Sequence, residues 1–499
     1  MEVPTEMAFD VDHLLNSNSA PSQVQRNVLQ KFILQLDKQI LDMQSKILVL
    51  QTSRSQLLQQ RKCYSRLLSP LRSLPIEIFG EIFKYATHDC PRHVLNLSAV
   101  CQLWRDAALR TPALWSTLEL VDYTAQYNMD SHIDSWIKRA HSYPLSLFIK
   151  HHEASGIVNP VNAAITLLNN HKWRSITLEG DKSILSILKE LQFANLDMLE
   201  SFSLQFRNSN LSIPDSLRSA PKLKTLCLDT NYSLAYDMLP FPWRQLTSLT
   251  IQSMPDIIVV DILRACVNLE ELIKDGDCDA FESNVSITLN YLRKLHTFSP
   301  YNMLLPSLKT PSIQDFAIKT SGSDYIYDDS IYQFIENNGS TLLKLSIVPP
   351  ESMFVGVIPF LRSLVELRLY DNDCGGSLTM HDILTSLVVE PEMDHSAIPL
   401  PRLEALEIIC HATEDNQRMF MKVIGSRWWS DDEENVRRKH RERPLSRIKR
   451  SVLLNVHTEL NMFFGDDVTL MREQGMNIDY LAPFDGMDND DFYTSSYHK

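Results

Sequence analysis

Apolar residues fall in three different rhythms along this chain, and each rhythm predicts a different kind of element. The first is a heptad. Ile33, Leu36, Ile40, Met43, Ile47, Leu50 and Leu57 recur at alternating steps of three and four, and neither glycine nor proline occurs from 22 to 69. A seam of this kind predicts a helical arm or coiled coil over residues 22–69, about 70 Å long at 1.5 Å per residue. Arg54 takes a core position, with Arg61 one heptad later, and two buried arginines repel unless neutralised. Three occupants of the seam stay open: the chain's own next domain, a second copy meeting it through residues 22–68, or a different helical partner. Residues 1–21 are acidic and polar and read as a loose tail.

The second rhythm is dense and short. Pro70 ends the arm, because the residue before a proline is pushed out of helical geometry. Leu74-Pro75 opens a new helix, with proline suited to its first position and Glu77 in the positive first turn. Ile78 and Ile82 lie four apart, as do Phe79 and Phe83, which makes two adjacent apolar ridges. Leu97, Val100, Cys101 and Trp104 do the same on one second helix. Ala107, Ala108, Leu114 and Trp115 close the unit. Two or three short helices cannot bury this much apolar surface against each other. Part of it is therefore expected to belong to another protein, unless the flanking arm or the repeats bury it.

The third rhythm is a repeat: an apolar residue, two others, an apolar residue, one other, an apolar residue. It occurs as Trp173-Ile176-Leu178, Leu199-Phe202-Leu204, Leu223-Leu226-Leu228 and Leu246-Leu249-Ile251, with partial copies at Leu269-Leu272 and Leu292-Leu295. Full copies return at Ile313-Phe316-Ile318, Leu342-Leu345-Ile347, Leu364-Leu367-Leu369 and Leu403-Leu406-Ile408. Most starts are 21 to 29 residues apart, the period of leucine-rich repeats, in which each unit contributes one strand. Helix-like runs such as Ile184–Leu191 lie between. No single copy buries its apolar face, but a stack makes a continuous core.

The expected fold class is thus α+β, or an α/β solenoid: a long helix, a small all-α domain over 70–118, and an irregular repeat horseshoe over 119–460. Residues 461–499 are expected to be a cap and acidic tail. The insertion at 373–398 is expected to hold one further degenerate repeat. A doubly wound α/β domain is the alternative, although its strands should read as near-continuous Val/Ile runs. Residues between the leucines should face outward, among them Ser203, Gln205, Thr225, Cys227, Asp229, Ser248, Thr250, Gln252, Glu271, Lys344 and Glu407. Glu366, Arg368 and Tyr370 are the best candidates for contact with a substrate, since arginine and tyrosine are typical interface anchors.

The stretch LPIEIFGEIF, followed after about 14 residues by LSAVCQLWRDAA and then LW, resembles an F-box, in the F-box-like form common in fungal proteins. With the repeats behind it, the chain looks like an F-box protein with C-terminal leucine-rich repeats. The resemblance implies a non-catalytic substrate receptor that docks on the small adaptor of an SCF-type cullin–RING ubiquitin ligase and reaches the cullin through it. Matched residue by residue, the adaptor contacts fall on Leu74, Pro75, Ile78, Ile82, Leu97, Val100, Cys101 and Trp104. Leu114 and Trp115 would secure the domain to the repeats behind it. Thr87-His88-Asp89-Cys90-Pro91 lengthens the turn between the two helices.

Composition narrows the rest. A formal net charge of −14 argues against a general nucleic-acid binder and against retention on anionic lipid. Thirteen glycines offer little material for phosphate loops, and neither GxxxxGK[ST] nor GxGxxG occurs. No two of the eight cysteines form a CxxC pair, so reduced thiols are expected and neither a zinc site nor a disulfide framework. With no basic n-region and no run of about 18 apolar residues, a cytoplasmic or nuclear protein is expected, without a membrane span. Eight Lys/Arg between Arg437 and Arg450 read either as a solvated helix face or as a nuclear-import signal. His151-His152 has no companion ligands, and HExxH and GxSxG are absent, so neither catalysis nor a cofactor or metal is expected. A coiled-coil and repeat scaffold without a ligase partner is the rival reading.

Overall fold

The computed structural model describes residues 11–17, 20–88, 90–121, 129–151, 167–168, 171–180, 184–191, 196–206, 213–230, 239–276, 286–298, 304–318, 329–347, 353–370, 377–390, 393–394, 397–410, 414–428, 445–455, 472–473 and 476–481. Residues 437–444 of the basic run and the tail from 482 lie outside them. The chain forms two compact units, Met1–Ile82 and Phe83–Lys499.

In the first unit, α1 (Val11–Asn16) is a short helix inside the stretch expected to be a loose tail. The arm is one helix, α2 (Gln23–Leu67). A capping box starts it: the Ser22 N–H donates to Gln25 Oε1 at 2.8 Å, and the Gln25 N–H donates to Ser22 Oγ at 3.4 Å. Every residue from Ile33 to Ser65 is exposed. A 3-10 turn, Pro70–Ser73, leads into α3 (Ile76–Ala86), where the division between the units falls.

In the second unit, the one helix expected over Leu97–Trp104 is two. These are α4 (His93–Val100) and α5 (Gln102–Leu109), broken at Cys101, whose φ of −161° and ψ of 173° are fully extended. A continuous helix would put Val94, Cys101 and Ala108 on one face at seven-residue spacing. Val94 and Ala108 are fully buried, whereas Cys101 is exposed. The extended residue turns its side chain outward while its carbonyl accepts the Arg105 N–H at 3.0 Å and starts the next helix.

Beyond α5 the unit is built on a parallel sheet of many strands. It begins with β1 (Thr117–Val121), β2 (Leu145–His151), β3 (Trp173–Gly180), β4 (Ser201–Phe206), β5 (Thr225–Thr230), β6 (Ser248–Gln252) and β7 (Glu271–Asp275). Helix α6 (Met129–Ala140) links β1 and β2. A short pair, β8 (Ile287–Thr288) and β10 (Leu308–Lys309), stands apart as a second sheet. The main sheet continues with β9 (Lys294–Phe298), β11 (Asp315–Ile318), β12 (Lys344–Ile347), β13 (Glu366–Tyr370), β14 (Ala405–Cys410), β15 (Arg450–Asn455) and β16 (Asn477–Leu481). Its strands lie side by side in chain order, every pairing parallel. β16 lies within 461–499, the stretch expected to be a cap and acidic tail. The insertion at 373–398 adds no strand between its neighbours, because β13 pairs directly with β14; it contributes the helix Ser377–Leu387 instead.

The leucine pattern becomes a ladder. Ile176, Phe202, Leu226, Leu249, Leu272, Leu295, Phe316, Leu345, Leu367 and Leu406 are in register and buried. The parallel row two residues on is Leu178, Leu204, Leu228 and Ile251, then Lys274 and Thr297. Those last two residues are why the copies at 269 and 292 look partial in sequence. Lys274 is buried and pairs with the buried Asp256 at 2.8 Å, a charged pair standing where the other copies place an aliphatic side chain. One backbone bond also repeats along the sheet. The carbonyl of Glu200 accepts the N–H groups of Lys224 and Thr225, that of Lys224 accepts those of Thr247 and Ser248, and the same step recurs as far as Glu404 with Lys449 and Arg450.

Candidate functional site

The candidate docking residues sit on three short helices and the turn before them. Leu74 ends the 3-10 turn in extended geometry, half-buried, and Pro75 opens α3, its carbonyl accepting the Ile78 N–H at 3.1 Å. Four-residue spacing separates the helix into two ridges, as the sequence predicts. Phe79 and Phe83 are buried at 1% exposure each, while Ile78 and Ile82 each stay 45% exposed. Leaving two isoleucines in water forgoes the stabilisation their burial would bring, and among the described residues this ridge stays exposed.

In the second unit, Val100 is 60% exposed and closes α4, and the exposed Cys101 follows it. Leu97 is half-buried. Trp104, also half-buried, packs its ring at 5.1 Å from that of Phe83, tilted by 56°. This tryptophan is therefore partly committed to the core through Phe83. The break at Cys101 separates Leu97 and Val100 on α4 from Trp104 on α5, so the second ridge expected on one helix is distributed over two.

Trp115 fixes these helices to the sheet. It is buried, and its Nε1 donates to the Ala108 carbonyl at 2.8 Å. The Trp136 ring meets it edge-on at 4.8 Å, and the Arg139 guanidinium lies 4.4 Å over its face. Trp136 Nε1 in turn donates to the Thr117 carbonyl at 3.1 Å. Arg92, just before α4, donates to the Glu119 carbonyl at 3.0 Å. Both ends of the α4–α5 pair are thus tied to β1. Leu114 is buried beside Trp115 in sequence.

Residues 71–120 match a family model described as F-box-like. They form an F-box-like domain. Its last residues lie within β1, so the F-box-like domain and the parallel sheet share a strand. No curated protein matches the chain.

The candidate substrate residues fall on β13. Glu366 and Arg368 are half-buried and bonded to each other at 2.8 Å. Arg368 also reaches Glu407 on β14 at 3.3 Å, and Lys344 on β12 reaches Glu366 at 3.0 Å. Burial alone would raise the Glu366 carboxyl, but the Lys344 hydrogen bond and the charges of Arg368 and Lys344 outweigh it and leave it below its usual range. Burial likewise works against the Arg368 charge, and Glu407 and Glu366 more than restore it. Tyr370, expected to face outward, is only 4% exposed. It ends β13 in register with the buried Ile409, where the in–out alternation of the strand gives way. Asp229, at the same position in β5, is buried too.

The register also exposes an order that single strands conceal. Thr117, Ser146, Ser175, Ser201, Thr225 and Ser248 form one row across β1 to β6. The row continues as Glu271, Lys294, Asp315, Lys344 and Glu366, alternating in sign from strand to strand. Beside it His296 Nε2 lies 3.1 Å from Asp315 Oδ1. Burial tends to raise the Asp315 carboxyl, but that bond and the neighbouring cations hold it below its usual range. The signal is present in the sequence but becomes readable only once the strands are aligned.

Proposed function

We propose that this chain is a substrate-recognition subunit of an SCF-type cullin–RING ubiquitin ligase. The observation that carries this reading is an F-box-like domain with an apolar ridge of Ile78 and Ile82 left in solvent. F-box domains typically bind the small adaptors of cullin complexes, and F-box proteins are typically non-catalytic subunits. The adaptor contacts are assigned to Leu74, Pro75, Ile78, Ile82, Leu97, Val100, Cys101 and Trp104. The sheet domain is read as a leucine-rich-repeat-like solenoid, supported by strands that follow chain order and by the recurring backbone bond. It would hold a protein substrate through outward strand residues, Glu366 and Arg368 among them. The buried Tyr370 is not one of them. The chain's contribution to ubiquitin transfer is then proximity, holding substrate near the charged conjugating enzyme. Such a subunit works in the cytoplasm or the nucleus.

Affinity purification of the full chain, followed by detection of adaptor and cullin, tests this. The wild type should recover both, and Ile78→Asp with Val100→Asp should recover neither. Both side chains are exposed, so thermal unfolding of the variant should match the wild type. A wild type that recovers neither subunit rejects the ligase reading in favour of a coiled-coil and repeat scaffold.

A further inference from the structure

We infer that α2 pairs with α2 of a second copy of this chain, parallel and in register, along Ile33–Leu50. Between 33 and 50 the seam has isoleucine at each first core position (Ile33, Ile40, Ile47) and leucine or methionine at each second (Leu36, Met43, Leu50). A β-branched residue at the first position with leucine at the second favours two parallel strands over three or four. All six side chains are exposed, between 52% and 68%. Most helix stability in proteins comes from burying an apolar face, and here that face is exposed from Ile33 to Leu50.

The flanking positions agree with a like partner. In a parallel pair Gln39 would face Gln44, and Lys46 would face Gln51, so no like charges meet across the seam. Lys46 is already engaged within its own helix by Asp42 at 2.6 Å. Farther on, Arg54 and Arg61 occupy first core positions, and parallel register sets each against its own copy. Two like charges in a seam repel, so pairing runs from Ile33 to Leu50 and the helices part before the F-box-like domain. A second row, Leu34, Leu41 and Leu48, runs beside the seam at seven-residue spacing; it widens the stripe but has no second apolar row to complete another seam. This pairing is independent of the ligase reading, since it uses no residue of 71–120.

Sedimentation equilibrium of the full chain at micromolar concentration tests it. The expected mass is twice the 57.4 kDa of one chain. Ile40→Asp with Ile47→Asp should give a monomer whose sheet domain melts as in the wild type. Arg54→Leu with Arg61→Leu should tighten the dimer roughly tenfold or more, by removing the opposed charges. Met43→Cys should form an intermolecular disulfide under oxidised glutathione beyond that of the parent chain, because equivalent second core positions face each other only in parallel register. A monomeric wild type, a trimer or tetramer, or a dimer that survives the double aspartate overturns the inference. A dimer in which Met43→Cys does not cross-link overturns the parallel register.

Discussion

Lys274 is the clearest case of one residue deciding how a repeat is read. Its amine and the Asp256 carboxylate are both buried, 2.8 Å apart. Removing one member of such a pair leaves a buried charge without compensation, whereas replacing both with apolar groups is often neutral or better. Lys274→Leu is therefore expected to cost about 3–5 kcal/mol in urea unfolding, and Lys274→Leu with Asp256→Leu to recover most of it. Equal losses in single and double variants would show that the pair is not the reason for the effect. Asp315 and Glu366 give a second, pH-dependent test. Both carboxyls lie below their usual range in the folded chain. Their contribution is thus complete above the unfolded values, near pH 4, and is lost as pH falls through the depressed folded ones. Urea midpoints measured from pH 7 down to pH 3 should fall more steeply for the wild type than for Asp315→Asn with Glu366→Gln.

Elements differ in how plainly the sequence announces them. α2 and most of the strands are legible because periodicity is a direct consequence of burial on one face, three-to-four for the helix and alternating for the strands. The break at Cys101 is not, because neither glycine nor proline marks it; only packing of Val94 and Ala108 on either side reveals it. β1 is hidden for another reason. Trp115-Leu118-Leu120 has the same spacing as Trp173-Ile176-Leu178, but Trp115 also reads as the close of the helical unit. In the structure it serves both, bonded to Ala108 on α5 and stacked edge-on with Trp136 on α6. Trp115→Ala should then cost about 3–5 kcal/mol, the range for truncating a buried tryptophan. It should also raise hydrogen exchange in α4 and α5 as well as at β1. Exchange confined to β1 would mean the helices are held by other contacts.

Across the whole molecule the outward row of the sheet changes character once, from hydroxyls on β1–β6 to alternating charges on β7–β13. The charged half is largely self-neutralising: Lys344, Glu366, Arg368 and Glu407 sum to zero and already bond to one another. A substrate reaching Arg368 must compete with two carboxylates, so recognition there should be sensitive to salt, which screens partly exposed pairs. The proposed docking residues lie instead within 71–120 and are mostly apolar, so their interaction should depend little on salt. The two functions should therefore come apart. In pull-downs of the full chain, Glu366→Ala with Arg368→Ala should lose those co-precipitating proteins whose ubiquitination depends on the chain, while adaptor and cullin are retained. Ile78→Asp with Val100→Asp should do the reverse. Raising ionic strength should mimic the first variant and spare the adaptor. Substrate recovery unchanged by both Glu366→Ala/Arg368→Ala and salt would move substrate recognition off β13, to the hydroxyl half of the row.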